Sequence, residues 1–147
     1  MNEELKEIFK ICDNMFENAT IDYDELKTKD IDVSFFENYT NTRLVNSFLF
    51  NFSKLQDKIG AKLFRKVLYE LKEIDDINMP MIDVLNKLEK LNIMNRASKW
   101  DELREIRNSI AHEYPFNIQE RVENIKLAMI GFAMLKEIYI SLKSKIN

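Results

Sequence analysis

The sequence has few of the residues that tight turns, disulfides and metal sites require: 147 residues include one cysteine, one histidine, two glycines and two prolines. The single Cys12 excludes an intramolecular disulfide, and one cysteine with one histidine cannot form a usual four-ligand zinc site. Scarce glycine and proline favour a few long helices over many turns and short strands. No run of 18 apolar residues occurs, and the first residues lack a signal-peptide layout. We therefore expect a helical, cytoplasmic protein.

The residues that are present fit a compact domain. Hydrophobic residues make up 46% of the chain and charged residues 32%, and the length suffices for one core. Cys12 lies among Ile8, Phe9 and Phe16, which predicts that it is a small core residue. We predict a single domain over residues 1–147.

Charge is distributed unevenly along the chain. The formal net charge is −3, which is not the usual composition of a nonspecific nucleic-acid binder. Residues 1–42 carry 4 basic and 11 acidic groups, whereas residues 43–72 carry 7 basic and 2 acidic groups. The basic segment 43–72 is therefore either a phosphate-facing surface or a solvated helix face.

Apolar residues recur at spacings of three and four, the pattern of amphipathic helices. The polar segment 20–32 either continues the first helix or forms a loop. Sequences that resemble capping boxes, Ser98–Asp101 and Asn117–Glu120, mark the start of the last two helices. The long second helix is apolar on more than one side and needs more than one neighbour, within the bundle or in a partner chain. The prediction is an all-α, up-and-down bundle of four to five helices. The predicted helices cover residues 3–18, 34–74, 80–92, 98 to about 115, and 117 onward.

The only histidine lies in the stretch REIRNSIAHEYPF, residues 104–116. On a straight helix Asn108 lies one turn before His112 and can orient its imidazole, whereas Arg107 and His112 point about 140° apart. Two arrangements bring them together. Either the Arg107 side chain crosses the small Ala111, or a two-fold dimer brings the arginine of one chain to the histidine of the other.

An arginine and a histidine at one site can support the cleavage of RNA. A neutral histidine can accept the proton of a ribose 2′-OH and return one to the leaving oxygen, while an arginine stabilises the phosphate. No metal is needed, and the product is a cyclic phosphate. The alternative is structural: His112 caps a helix end or lies at the surface, and Tyr114 closes the core before Pro115. The residue types alone leave both interpretations open.

The sequence RNSIAHEY, residues 107–114, resembles the Arg–polar–x–x–x–His motif of the HEPN superfamily. Its extension to His-x-Tyr is typical of the HepT-like toxins that are paired with a minimal nucleotidyltransferase (MNT) antitoxin. LVNSFLFNFSKLQDKIGAKLF, residues 44–64, is similar to the second helix of those proteins. The resemblance covers roughly residues 35–140, and the all-α architecture agrees with it.

The resemblance implies a ribonuclease toxin that cleaves host tRNA or mRNA without a metal or other cofactor. It implies a homodimer whose two motif helices meet in a composite cleft. Arg107 would stabilise the phosphate and His112 would act as general acid–base. Asn108 would orient His112 or contact the RNA.

The resemblance also implies a protein partner. The nucleotidyltransferase antitoxin would adenylylate Tyr114 and add charge and bulk where RNA must enter. The basic segment 43–72 would face RNA or serve the dimer. Some relatives with this fold are instead non-catalytic partners, antitoxins or substrate-binding subunits of a nucleotidyltransferase, so a binding module is the alternative. A generic four-helix scaffold gives no reason for the residues grouped around His112.

Overall fold

The computed structural model describes residues 1–111 and 117–146, and these residues form an all-α bundle without strands. A π-helical turn, Ile59–Leu63, joins α2 (Tyr39–Lys58) to α3 (Phe64–Glu70) without a break, so that the two form one continuous helical rod and the described residues form five rods. A short 3-10 turn, Val33–Glu37, precedes α2. The predicted fold class is confirmed. The helices are α1 (Glu3–Lys27), α2 (Tyr39–Lys58), α3 (Phe64–Glu70), α4 (Met81–Lys90), α5 (Ser98–Ala111) and α6 (Ile118–Ile146).

Helix α1 extends past residue 18, so the polar segment continues the helix as far as Lys27. Ala19 and Leu26 are buried and Tyr23 is half-buried, at helical spacing on the side that faces the bundle. The acidic residues of this segment lie mostly on the outer side, which is why its composition looks like that of a loop. The inner face alone is enough to hold these turns against the core.

The two predicted capping boxes have different outcomes. Asn117 caps α6 as expected, because its Oδ1 accepts the Glu120 N–H at 3.1 Å. The prediction that Ser98 caps α5 is wrong. Ser98 is already the first residue of α5, and its side chain makes no capping hydrogen bond among the described residues. The chain before α5 is held instead by Glu89, whose Oε1 accepts the Ala97 N–H at 2.9 Å.

The core is centred on aromatic rings from α1, α2 and α6. The Phe132 ring lies 5.2 Å from the ring of Tyr23 and 5.9 Å from that of Phe16, both on α1. It also meets two rings of α2 nearly edge-on, Phe48 at 5.4 Å and Phe52 at 6.5 Å. Phe132 therefore joins three helices, and offset or edge-on ring pairs of this kind add to the stabilisation from burial.

Cys12 is a core residue, as its neighbours in the sequence predict. Its side chain is fully buried within α1. Burial raises the pKa of the Cys12 thiol to about 11, because the thiolate would lose its hydration there. The thiol is held in its neutral, weakly nucleophilic form.

The second apolar stripe of the long rod is only partly buried. Phe64 and Leu68 are fully buried and Leu49 is half-buried, so most of the second apolar side of this long helix packs inside the bundle. Phe50, in contrast, is 62% exposed.

No helix in the described part of the chain is long and apolar enough to cross a bilayer.

Candidate functional site

A cleft of about 530 Å³ opens between the π turn and helix α5. Helix α5 contributes three polar side chains, Arg104, Arg107 and Asn108, at helical spacing along one side. Trp100, in the first turn of the same helix, adds an apolar surface. The cleft is open to solvent, and it is distinguished from other surface depressions of similar volume by the residues that line it.

Across the cleft, Asp57 of α2 holds the Arg107 guanidinium with two hydrogen bonds. Arg107 Nε lies 3.3 Å from Asp57 Oδ1, and Nη2 lies 3.2 Å from Oδ2. The side chains are 31% and 54% exposed, so the pair adds little to stability and chiefly fixes the direction of the arginine. The pair uses the Nε–Nη2 edge, and no described residue accepts a hydrogen bond from Nη1. The guanidinium keeps donors for a second anion.

The π turn shapes the opposite wall of the cleft. The Phe64 N–H bonds to the Ile59 carbonyl instead of the Gly60 carbonyl, which an α-helix would use. The Arg65 guanidinium donates to the released Gly60 carbonyl at 3.5 Å, while its Nε donates to the Met79 carbonyl at 3.1 Å. Arg65 thus ties the widened turn to the segment before α4.

Gly60 allows the π turn and α5 to approach closely. A Cβ atom at this position would lie 2.5 Å from Trp100 Cζ2, so only a bare backbone fits. Trp100 is 2% exposed and also meets the Phe64 ring edge-on at 4.8 Å. This contact fixes the first turn of α5, and with it the positions of Arg104 and Arg107 one and two turns later.

Replacing Gly60 with alanine is expected to lower the free energy of unfolding by about 1–3 kcal/mol, because the added methyl group overlaps the Trp100 ring. Urea unfolding followed by circular dichroism measures the change. Ala61→Ser, at the exposed next residue, is the matched control and should unfold near the wild-type midpoint. A wild-type midpoint for Gly60→Ala would contradict the close packing.

The structure brings Arg107 and Asn108 to one cleft, and it directs Arg107 toward Asp57 on the neighbouring rod. His112 and Tyr114 lie outside the described residues. The contact of Asn108 with His112, and both routes proposed for bringing Arg107 to His112, therefore stay predictions. Asn108 is exposed, as its position on the helical wheel indicates.

Of the nine residues that line the cleft, the sequence predicted only Arg107 and Asn108 as site residues; Gln56, Asp57 and Gly60 are among the seven that it did not. One sequence feature could have indicated Asp57. It is one of only two acidic residues in the basic segment 43–72, which makes it a candidate to pair with a functional cation. Gln56 carried no such signal.

The basic segment does not present all its cations to one surface. Lys66 pairs with Glu4 at 2.8 Å, and its hydrogen bond and charge lower the pKa of that carboxyl group. Arg65 is committed to backbone carbonyls. Arg43 and Lys54 are exposed on α2, with Lys54 5.7 Å from the centre of the Phe50 ring. The prediction that segment 43–72 faces RNA stays untested, and Arg43 and Lys54 are exposed cations that could contact it.

Within residues 1–111 and 117–146, no group of three or more His, Cys, Asp or Glu side chains could hold a metal ion.

Comparison with known proteins finds no relative: no protein-family model, curated protein or solved structure matches this chain. Membership of the HEPN superfamily stays a prediction from the sequence motif.

Proposed function

We propose that this protein is a metal-independent endoribonuclease toxin that cleaves host tRNA or mRNA. The observation that carries the proposal is the Arg107 guanidinium, which Asp57 holds at a cleft that also contains Asn108 and Arg104. An arginine fixed on one edge and open on another is suited to bind a phosphodiester. The sequence places His112, the only histidine, five residues later.

In the proposed reaction the ribose 2′-oxygen attacks the adjacent phosphorus and the 5′-oxygen leaves. His112 accepts the 2′-OH proton as the new P–O bond forms, and an imidazolium returns a proton to the departing oxygen. Arg107 donates hydrogen bonds to the phosphate oxygens, whose negative charge grows in the transition state. The products are a 2′,3′-cyclic phosphate and a 5′-hydroxyl.

The proposal includes two protein partners. A second copy of the chain forms a composite cleft and supplies a second His112. A nucleotidyltransferase antitoxin adenylylates Tyr114, two residues beyond that histidine. The added adenylyl group brings negative charge and bulk where RNA must enter, and so opposes RNA binding.

The test is incubation of the purified protein with tRNA and with mRNA in excess chelator. The expected result is fragments that end in 2′,3′-cyclic phosphate, made by wild type and not by His112→Ala. Intact RNA with both proteins would contradict the ribonuclease. It would favour the alternative, a non-catalytic partner, antitoxin or substrate-binding subunit of a nucleotidyltransferase, which predicts complex formation without RNA cleavage.

A further inference from the structure

One face of helix α2 is exposed along its length and carries aromatic and basic side chains. Residues that recur three and four positions apart lie on one line along an α-helix. Six residues of α2 have this spacing, and all six are exposed. This line of residues is called the α2 stripe. It consists of Tyr39, Arg43, Asn46, Phe50, Lys54 and Asp57.

The aromatic side chains of the α2 stripe present their rings to solvent. Tyr39 is 75% exposed and Phe50 is 62% exposed. The Nζ atom of Lys54 lies 5.7 Å from the centre of the Phe50 ring, which places a cation beside an uncovered aromatic surface. Surfaces that bind single-stranded nucleic acids combine these elements, because bases stack on the rings and cations bind the phosphates.

The charge of the α2 stripe suits a polyanion. Neither Arg43 nor Lys54 forms an ion pair with a described carboxylate, whereas Lys66 on the same rod pairs with Glu4 at 2.8 Å. The one carboxylate of the stripe, Asp57, is matched by the Arg107 guanidinium at 3.2 Å. The stripe therefore offers two positive charges that the described part of the chain does not neutralise.

The α2 stripe leads into the cleft. Asp57, its last residue, holds Arg107 there, and Ala61, one turn further along the same line, belongs to the cleft wall. Phe50 lies two helical turns before Asp57, about 10 Å along the helix axis. The exposed aromatic and basic surface is thus continuous with the site where Arg107 would bind a phosphodiester.

We propose that the α2 stripe binds single-stranded RNA and leads it to the cleft. Tyr39 and Phe50 stack on bases, while Arg43 and Lys54 bind phosphates. Stacking of this kind needs unpaired bases, so the substrate is a loop or another single-stranded region and not a duplex. The inference rests on the proposed function in taking the ligand to be RNA, and it adds the class of RNA and the surface that holds it.

A probe that cannot be cleaved measures this binding apart from catalysis. A short, fluorescently labelled 2′-O-methyl oligoribonucleotide of mixed sequence has no free 2′-OH to attack the phosphate. The full-length protein is titrated into this single strand, and into its duplex with a complementary strand, while fluorescence anisotropy is recorded at low salt. The expected result is tighter binding of the single strand.

Phe50→Ala should weaken binding of the single strand by about tenfold, which is within the range for the loss of one stacked base. Phe50→Trp keeps an aromatic surface and should bind at least as tightly as wild type. Ile130→Ala removes a side chain that is 58% exposed on α6, outside the stripe, and should leave the affinity unchanged.

The cations are tested by the dependence of binding on salt. Arg43→Gln combined with Lys54→Gln should reduce the slope of log K against log salt concentration by about 1.4, since each phosphate contact with a single strand contributes about 0.7. Lys90→Gln combined with Arg96→Gln removes the same charge from exposed positions outside the stripe and the cleft, and should keep the wild-type slope.

Absence of binding by wild type would overturn the inference, as would an affinity that Phe50→Ala leaves unchanged. A dimer that Phe50→Ala dissociates in sedimentation, with unchanged RNA affinity, would also overturn it and assign the stripe to a second copy of the chain. The outcome is separable from that of the ribonuclease. Binding along the stripe without RNA cleavage would refute only the catalytic proposal, and cleavage with unchanged binding in these variants would refute only the role of the stripe.

Discussion

Arg107→Ala is expected to lower RNA cleavage by about 10²–10³-fold, the usual loss when a donor to a developing negative charge is removed. The effect should fall mainly on kcat, because the guanidinium binds the charge that grows in the transition state. Arg107→Lys should recover little, since an ammonium group cannot bond Asp57 and phosphate in fixed directions at once. Initial rates on a short RNA substrate in chelator measure both variants.

A matched control separates catalysis from folding and from net charge. Arg96→Ala removes an exposed arginine outside the cleft, which pairs loosely with Glu102 at 3.6 Å, and should cleave RNA at the wild-type rate. Arg107→Ala should also keep nearly wild-type stability, because a half-exposed ion pair contributes about 0–1 kcal/mol. Undiminished cleavage by folded Arg107→Ala would remove this residue from the mechanism.

Phe132→Ala is expected to lower the free energy of unfolding by about 3–5 kcal/mol, the range for deleting a buried phenylalanine ring. The ring is 1% exposed and contacts aromatic side chains from α1 and α2, so its removal opens a cavity where three helices meet. Urea unfolding measures the change.

A second substitution on the same helix provides the comparison. Ile130 is 58% exposed on α6, and Ile130→Ala should change stability by no more than about 0.5 kcal/mol. Equal losses for Ile130→Ala and Phe132→Ala would show that α6 is held by its outer face instead of by the aromatic core.

The helices could be predicted from the sequence because apolar spacing reports directly on which side of a helix is buried. The same rule places Asn108 on the exposed side of α5, where the structure has it. The rule is weaker at helix ends. The outward acidic residues of segment 20–32 left open whether α1 continues there, and the structure shows that it does, with Ala19 and Leu26 buried on its inner face.

The cleft could not be predicted in the same way, because it depends on contacts between residues far apart in the chain. At the π turn, Gly60 packs against Trp100 of another helix, and Arg65 bonds the released carbonyl. The Asp57–Arg107 pair depends on how two rods cross, which periodicity within one helix does not specify. Motif spacing singled out Arg107 and Asn108, which both line the cleft, and the structure adds Asp57 as the partner that orients Arg107.

The most direct test of the central claim is growth after induced expression of wild type and of His112→Ala, followed by gel analysis of total and transfer RNA. The account predicts growth arrest with loss of RNA for wild type alone, because His112 is the proposed acid–base and the chain has no second histidine to replace it. Equal, healthy growth of both strains with intact RNA would contradict the ribonuclease.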